Sequence, residues 1–450
     1  MASENSAKRI DMTAGPIWKC MVSFAIPVFI GHLFQQLYNT ADSIIVGNFV
    51  GKQALAAVAS SGNLIFMMTG FFMGLCLGAG VIIGRYLGAR DFERMKKAIH
   101  TAVAFALCCG FVLSVLGLWL APKLLILMKT PENVLPLSTT YFRIYFFGSF
   151  FSLTYNVCAG ILQAVGDSKS PLIFLIISSV ANVVLDLVFV GIFDLGVAGA
   201  AFATVISQML SALLGFRKLL RSEGSYQLHI KEIGFDFDRL KEILHQGIPS
   251  GINNSIISIA NVVVQSNINA FGDNAMAGCG SYAKIEGFIF IPIMAFSTAI
   301  TTFISQNLGA GNHERALKGS RFGILGSVIS AESLGILFWL ICPWIIPLFN
   351  NDPAVVEIGV NQMRTESLFF CTLAFAHSVS AIMRGAGRPK MPMYTMLICW
   401  CLIRVSYITI AVRYFPVINT VYWAYPLTWF LSCIIFMAYY LKGDWLHTYD

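Results

Sequence analysis

Apolar positions in this 450-residue chain are gathered into long blocks separated by short polar stretches. Residues 53–84, 98–122, 195–216, 243–272 and 414–441 contain no Lys, Arg, Asp or Glu. Each block exceeds the ~20 residues that a helix needs to cross a bilayer core. Allowing an isolated charge adds 20–47, 136–165, 170–193, 274–308, 322–349, 354–383 and 391–412, which makes twelve. Helices are the expected form, because an isolated strand in lipid leaves its backbone polar groups without partners. The pattern predicts an all-α integral membrane protein with twelve transmembrane helices.

The blocks repeat. Leu87-Gly88-Ala89 followed by Glu93-Arg94 returns 221 residues later as Leu308-Gly309-Ala310 followed by Glu314-Arg315. Gln53-Ala54-Leu55-Ala56 returns as Asn274-Ala275-Met276-Ala277 at the same spacing, and Gly160 to Pro171 returns as Ala381 to Pro392. Ile26-Pro27 pairs with Ile248-Pro249 after a one-residue slip. A repeat of six spans, an even number, gives both copies the same orientation, so two six-helix lobes related by a parallel internal repeat are expected, with a cavity between them. The division predicted is an N-terminal lobe over 1–220, a polar cytoplasmic linker over 221–242 that is partly helical, and a C-terminal lobe over 243–450.

Composition agrees: 57% of residues are apolar and only 12% charged, against about a quarter charged in a soluble domain. The net charge of +7 could suggest a nucleic-acid partner, but its placement argues against one. With the N-terminus inside, 22 of the 30 Lys and Arg fall in cytoplasmic segments, the bias that orients membrane proteins. Both termini are therefore expected in the cytoplasm. The first apolar run is too long for a cleavable signal, and no appended soluble domain is expected. The 11 Cys lie almost entirely inside apolar blocks without metal-ligand spacing, so they read as small buried hydrophobes. No phosphate-cradling loop, nucleophile elbow or paired His/Cys motif is present, so no enzyme and no cofactor are expected.

A charged side chain at the bilayer centre costs about 2.5 to 3.5 kcal/mol on insertion scales, so each intramembrane acid calls for a reason. Asp42, Asn182 and Asp186 are informative because the repeat does not copy them: Asp42 falls opposite Val263 or Val264, and the other two match Ile403 and Tyr407. Asn182 and Asp186 are four apart, on one helix face. Gln35, Tyr38 and Asp42 form a second polar stripe. Asp42, Asp186 and Thr204 share a depth of ~10 to 15 Å below the external ends of their spans. Two carboxylates, an amide and a hydroxyl are hard oxygen ligands suited to a small monovalent cation such as Na⁺, or to a proton held between the acids. Thr204 alone reads as a packing residue and Asn182 as an interhelical bond, and for Asp186 alone a helix–helix hydrogen bond or a pair with an Arg stays open. In the second half Lys284, Glu286, Arg364 and Glu366, with Glu332 and Arg404 nearer mid-membrane, are expected to form internal salt bridges, with a gating or substrate role open for Lys284, Glu286, Arg364 and Glu366. His32, His100 and His377 read as packed or hydrogen-bonded.

The chain resembles the multidrug and toxic compound extrusion family from about Thr13 to Lys442. The residues that carry the likeness are Ile26-Pro27, Asn39-Thr40-Ala41-Asp42, the Gly84 to Gly88 turn, Gly166-Asp167-Ser168-Lys169-Ser170-Pro171, Asn182 to Asp186, Gly196 to Thr204, and Gly385-Ala386-Gly387-Arg388-Pro389-Lys390. The resemblance is closest to the DinF-like and MepA-like bacterial branches. It implies a two-lobed, twelve-helix fold, a cation site at Asp42, Asn182, Asp186 and Thr204, and drug contacts at Gln35, Tyr38 and Asn156. Relatives of the NorM-like branch carry acids in the seventh and tenth spans, whereas the seventh span here has Asn253, Asn254 and Ser255. A second sodium site is therefore not expected.

The function this implies is secondary active efflux of cationic or amphipathic small molecules in exchange for Na⁺ or H⁺, by alternating access in a bacterial cytoplasmic membrane. Drug-like substrates, a monovalent cation and membrane lipid are the expected partners, and the resemblance implies a monomer. Two other readings remain open, a lipid-linked saccharide flippase of the same superfamily and an ion channel. The first calls for a more cationic cavity and extra spans; the second calls for a continuous polar pore.

Overall fold

The computed structural model describes residues 9–127, 130, 132, 134–222 and 224–448, with the side chains of 52, 53, 55–57, 59–64, 66, 67 and 127 set aside. Among the described residues every regular element is helical. The first half contains α1 (Ile17–Phe49), α2 (Lys52–Gly88), α3 (Phe92–Leu127), α4 (Leu135–Phe147), α5 (Ser149–Ala164) and α6 (Lys169–Asp186). A π-helical segment, Leu187–Ile192, extends α6, and α7 (Gly196–Leu220) follows. The second half contains α8 (Phe237–Asn269), α9 (Asp273–Gly309), α10 (His313–Ile345), α11 (Pro353–Glu366), α12 (Phe370–Gly385), α13 (Lys390–Met396), α14 (Arg404–Tyr414) and α15 (Ile418–Lys442). A second π-helical segment, Leu397–Ile403, joins α13 to α14.

Among the described residues eleven helical runs are long and apolar enough to cross a membrane, and the pair α4–α5, bent by 46°, makes a twelfth if it is one span. This agrees with the twelve spans read from the sequence. The duplication extends to the backbone. Helices α2 and α9 are both 37 residues long and α7 and α15 both 25. Gly51 and Gly272, at equivalent positions before α2 and α9, both adopt positive φ, 107° and 95°, a region that a Cβ disfavours.

By internal packing the chain forms two compact units: unit 1 is Met1–Asp11 with Ile26–Gly251, and unit 2 is Met12–Ala25 with Ile252–Asp450. The start of α1 thus belongs with the second half and the start of α8 with the first. In unit 2 the reason is a clamp on the backbone of residues 12–15. Arg315 donates from Nε to Met12 O at 3.1 Å, from Nη1 to Gly15 O at 2.8 Å and from Nη2 to Ala14 O at 2.9 Å. Asn307 adds a bond from Nδ2 to Met12 O at 3.0 Å. In unit 1 the position matching Asn307 is Tyr86, which bonds Glu242 and Arg239 of α8.

A second contact seats α8 in unit 1. A methyl group on Gly74 would overlap the backbone of Ser250 and Gly251, and one on Gly78 the backbone of Gly247. Four glycines spaced four apart on two helices allow this approach, the small-residue packing expected of spans in lipid. Around it Ile82, Ile83, Ile99, Leu162 and Leu219 form one apolar core, while Val46, Phe142, Phe146 and Ala200 centre another.

The linker is ordered against α3. On either side of the 3₁₀ turn Ile230–Glu232, His229 N donates to His100 Nε2 at 3.0 Å and Asp236 N donates to Thr101 Oγ1 at 3.1 Å. His100 then carries its proton on Nδ1, which donates to Lys96 O at 2.8 Å. Lys96 Nζ pairs with Glu232 at 2.8 Å. The Lys96 ammonium, first by its hydrogen bond, holds the exposed Glu232 carboxyl below the usual range.

Candidate functional site

The site is built where three helices of unit 1 near their ends. Asp42 stands seven residues before Phe49, the last residue of α1. Asp186 closes α6, and the backbone widens into a π segment immediately after it, a distortion found frequently at functional sites. Thr204 lies two turns into α7, which packs along α6. At the other end of α6, Asp167 accepts from Ser170 N at 2.9 Å and from Ser170 Oγ at 2.6 Å. That cap is what the Gly166 to Pro171 motif contributes: it starts the helix that carries Asn182 and Asp186.

Asp42, Asn182, Asp186 and Thr204 are all buried, Asp186 completely. The two carboxyl groups lie within interaction distance of each other, and both act electrostatically on Tyr38 and Tyr141. Apart from the contact between the two carboxyl groups themselves, both oxygens of Asp186, Oδ1 of Asp42 and both side-chain amide atoms of Asn182 have no hydrogen-bond partner among the described residues. A buried polar group left without a partner costs about 1–3 kcal/mol, more if charged, so five such atoms in one region call for a ligand. Oxygens dominate the set and no cluster of three or more His, Cys, Asp or Glu gathers among the described residues. These donors fit a small hard cation, or a proton between the acids, better than a transition metal.

The remaining expected residues are placed less uniformly. Thr204 Oγ1 donates to Ala200 O at 3.1 Å, which leaves its lone pairs free. Tyr38 lies beside the acids, with Tyr145 and Tyr155 in reach. Gln35 bonds His32. Asn156 Nδ2 donates to Ser152 O of its own helix at 2.8 Å, so its amide nitrogen is committed to α5. Tyr141 was not singled out by sequence reasoning; the available signal was the Tyr141/Tyr145 pair, one turn apart in a block otherwise read only for hydropathy.

In unit 2 the salt bridges expected from the sequence are not found. Among the described residues no ion pair joins Lys284, Glu286, Arg364 and Glu366. Lys284 Nζ lies 5.8 Å from the Phe349 ring centroid, and Arg364 Cζ lies 5.5 Å from that of Trp339. Both cations are exposed and face aromatic rings, an attraction worth about 0.5–1 kcal/mol at such sites. Glu366 is fully buried and held by neutral donors: Tyr282 Oη to Oε2 and Gln362 Nε2 to Oε1, both at 2.8 Å. Glu332 accepts from Cys371 N at 2.8 Å and so caps α12 where the span breaks. His377 is wedged between Phe290 and Trp400.

Fold and site together define a multi-pass, internally duplicated helical membrane protein whose first copy holds a buried acid pair with unsatisfied oxygens. A family model described as MatE matches residues 27–188 and again 249–410, the two copies found above, and the chain belongs to this family. Among relatives, the probable multidrug resistance protein YpnP of Bacillus subtilis (strain 168) is 29% identical over 403 residues, 88% of this chain and 89% of its own length. The probable multidrug resistance protein NorM of Thermotoga maritima is 26% identical over 440 residues, covering 95% and 93%. A solved structure of a multidrug resistance MATE family transporter of the MOP superfamily, in an outward-facing conformation, superposes with a TM-score of 0.91 at 25% identity. It covers 98% of this chain and 99% of that one.

Proposed function

We propose that the protein is a secondary transporter of a bacterial cytoplasmic membrane, with both termini in the cytoplasm, that exports cationic or amphipathic drug-like molecules in exchange for Na⁺ or H⁺. The observation that carries this reading is the buried carboxyl pair Asp42 and Asp186 of unit 1, which no other donor among the described residues reaches. The multidrug names of its relatives support the substrate class. In the mechanism, alternating access exposes the acids outward, where they take up the cation. Asn182 and Thr204 supply further oxygens to Na⁺, or hydrogen bonds to a protonated carboxyl. Neutralising the pair changes the hydrogen bonding at the end of α1 and favours drug release from the surface formed by Gln35, Tyr38 and Asn156; return inward releases the cation. Tyr38 and Tyr141 add ring faces for a cationic drug. A ligand shifts such an equilibrium only by its differential affinity for the two states, so the cation must bind the outward state more tightly.

The test is efflux of a fluorescent cationic dye from proteoliposomes under separately imposed Na⁺ and H⁺ gradients. The expected result is gradient-driven efflux in the native chain that is lost in both Asp42→Asn and Asp186→Asn. Unchanged transport in either variant would overturn the assignment.

A further inference from the structure

A second open polar group of unit 1 lies one turn beyond Thr204, on the same face of α7. The hydroxyl side chains of α7 fold back onto their own helix: Thr204 Oγ1 donates to Ala200 O at 3.1 Å, Ser207 Oγ to Ala203 O at 2.8 Å and Ser211 Oγ to Ser207 O at 3.0 Å. Gln208 instead reaches across to α4, where its Nε2 donates to Tyr145 Oη at 3.5 Å. Its Oε1 is buried and has no hydrogen-bond partner among the described residues. Tyr145 in turn stacks with Tyr141, the ring centroids 6.4 Å apart, and Tyr141 is the ring already placed beside the acids.

A glutamine and a tyrosine bonded to each other leave a fixed remainder. With Nε2 donating, the amide keeps its carbonyl as an acceptor and the phenol keeps its O–H as a donor. Turning the amide over exchanges these roles and leaves the same sum, one donor and one acceptor side by side. A buried carbonyl without a partner is costly, so the pair calls for a group that offers the complementary edge. The repeat does not copy this arrangement: 221 residues on, the position of Tyr145 is held by Glu366, whose two oxygens both have donors within their own unit.

We propose that Tyr145 and Gln208 form a donor–acceptor subsite for the transported drug, which takes an N–H group next to a carbonyl, as in a primary carboxamide or a lactam, while Tyr141 supplies an aromatic face beside it. This deepens the reading of unit 1 as the drug-binding half and rests on it. Tyr145 and Gln208 are specificity-determining residues, and ion coupling stays with Asp42 and Asp186.

The experiment uses the full chain in lipid nanodiscs, with dye binding followed by fluorescence. The probes are an N-methylacridinium carrying a primary carboxamide, the same cation carrying an N,N-dimethylcarboxamide, and the unsubstituted cation. Methylation keeps the charge, the rings and the carbonyl and removes the N–H donors. The native chain should bind the primary carboxamide at least about tenfold more tightly than the dimethyl form, since a site built to pair a polar group discriminates against the analogue that lacks it. Gln208→Leu should bring the ratio of the two dissociation constants to within about twofold of one. Loss of packing alone would weaken both dyes together and leave the ratio in place. Adding Tyr145→Phe to Gln208→Leu removes the O–H that both carbonyls share, so both dyes should weaken by about threefold or more, and the unsubstituted cation by less. If Gln208→Leu is not monodisperse, Gln208→Met, closer in shape to glutamine, is read in the same way.

A ratio near one in the native chain overturns the proposal, and so does a ratio that persists in a monodisperse Gln208→Leu or Gln208→Met, because discrimination would then come from bulk. Binding of the unsubstituted cation without either carboxamide overturns it as well. No saturable binding of any of the three dyes to the native chain instead refutes the drug-export reading itself, which keeps the two failures distinguishable.

Discussion

Asp42 and Asp186 in unit 1 and Glu286 and Glu366 in unit 2 are two answers to the same problem, a pair of acids placed inside a membrane protein. In unit 2 Tyr282 and Gln362 hydrogen-bond Glu366. In unit 1 the two carboxyl groups meet one another, and beyond that contact no donor among the described residues reaches either oxygen of Asp186. Duplication copied the helices, their lengths and their turns without copying this chemistry. A satisfied acid cluster stabilises one structure, whereas an unsatisfied one awaits something that comes and goes. That difference is the physical basis for assigning coupling to the first copy.

The largest effect should follow from removing the unsatisfied acids. Asp186→Asn is expected to reduce gradient-driven dye efflux by at least about tenfold while the protein stays monodisperse, since an amide can still bond Asp42 and a costly buried charge is removed. The contrast is sharpened by a matched pair of tyrosine changes read by thermal unfolding in detergent. Tyr282→Phe strips Glu366 Oε2 of its donor and should destabilise by about 1–3 kcal/mol. Tyr141→Phe, whose hydroxyl is near the acids of unit 1 without bonding them, should stay within about 0.5 kcal/mol. Equal effects of the two would erase the distinction drawn above.

Packing offers a second matched pair. Gly74 and Gly78 of α2 correspond in the repeat to Ala295 and Ala299 of α9, both buried without difficulty. In α2 a methyl group would strike the backbone of α8, and backbone moves less readily than a side-chain tip. Gly78→Ala is therefore expected to cost about 1–3 kcal/mol by overpacking, measured as a lowered unfolding temperature, although the same residue is native one repeat later.

The smallest effect is on the linker, which only unit 1 uses. The Glu232 carboxyl is held below its ordinary value by Lys96, so its contribution to docking is present above the usual carboxylate range and lost as pH falls through the lowered value. Hydrogen exchange over residues 225–236, corrected for intrinsic rates, should differ between the native chain and Lys96→Met by a constant amount from neutral pH down to about pH 5. The difference should shrink only in stronger acid. A difference that vanished near neutrality would place the docking on another group.

Much of the fold was legible because lipid enforces it. Blocks free of charge have to be helices, and three loops sharing one spacing fixed the duplication; Gly51 and Gly272 then show the same strained turn at the same interval. The acids of unit 1 stood out for the related reason that a charge in an apolar block is costly, and the repeat's failure to copy them marked them further. Partners were another matter. Opposite charges at similar depth suggested salt bridges for Lys284 and Arg364, but spacing along a chain does not say which helix face meets which, and both residues face aromatic rings.

What the sequence determined by itself was the class of structure and the position of its costly residues, because burial in a membrane penalises each charge one at a time. What only the tertiary structure decided was compensation: that Asp186 has no donor beyond Asp42, that Glu366 has two, and that Thr428 is the partner of the buried Arg404. Placement of the π turns contributes, since the one before Arg404 and the one after Asp186 rotate the following residues onto a new face, so equivalent positions in the repeat need not point the same way. A hydrogen bond depends on the meeting of two helices far apart in sequence, and no local pattern records it.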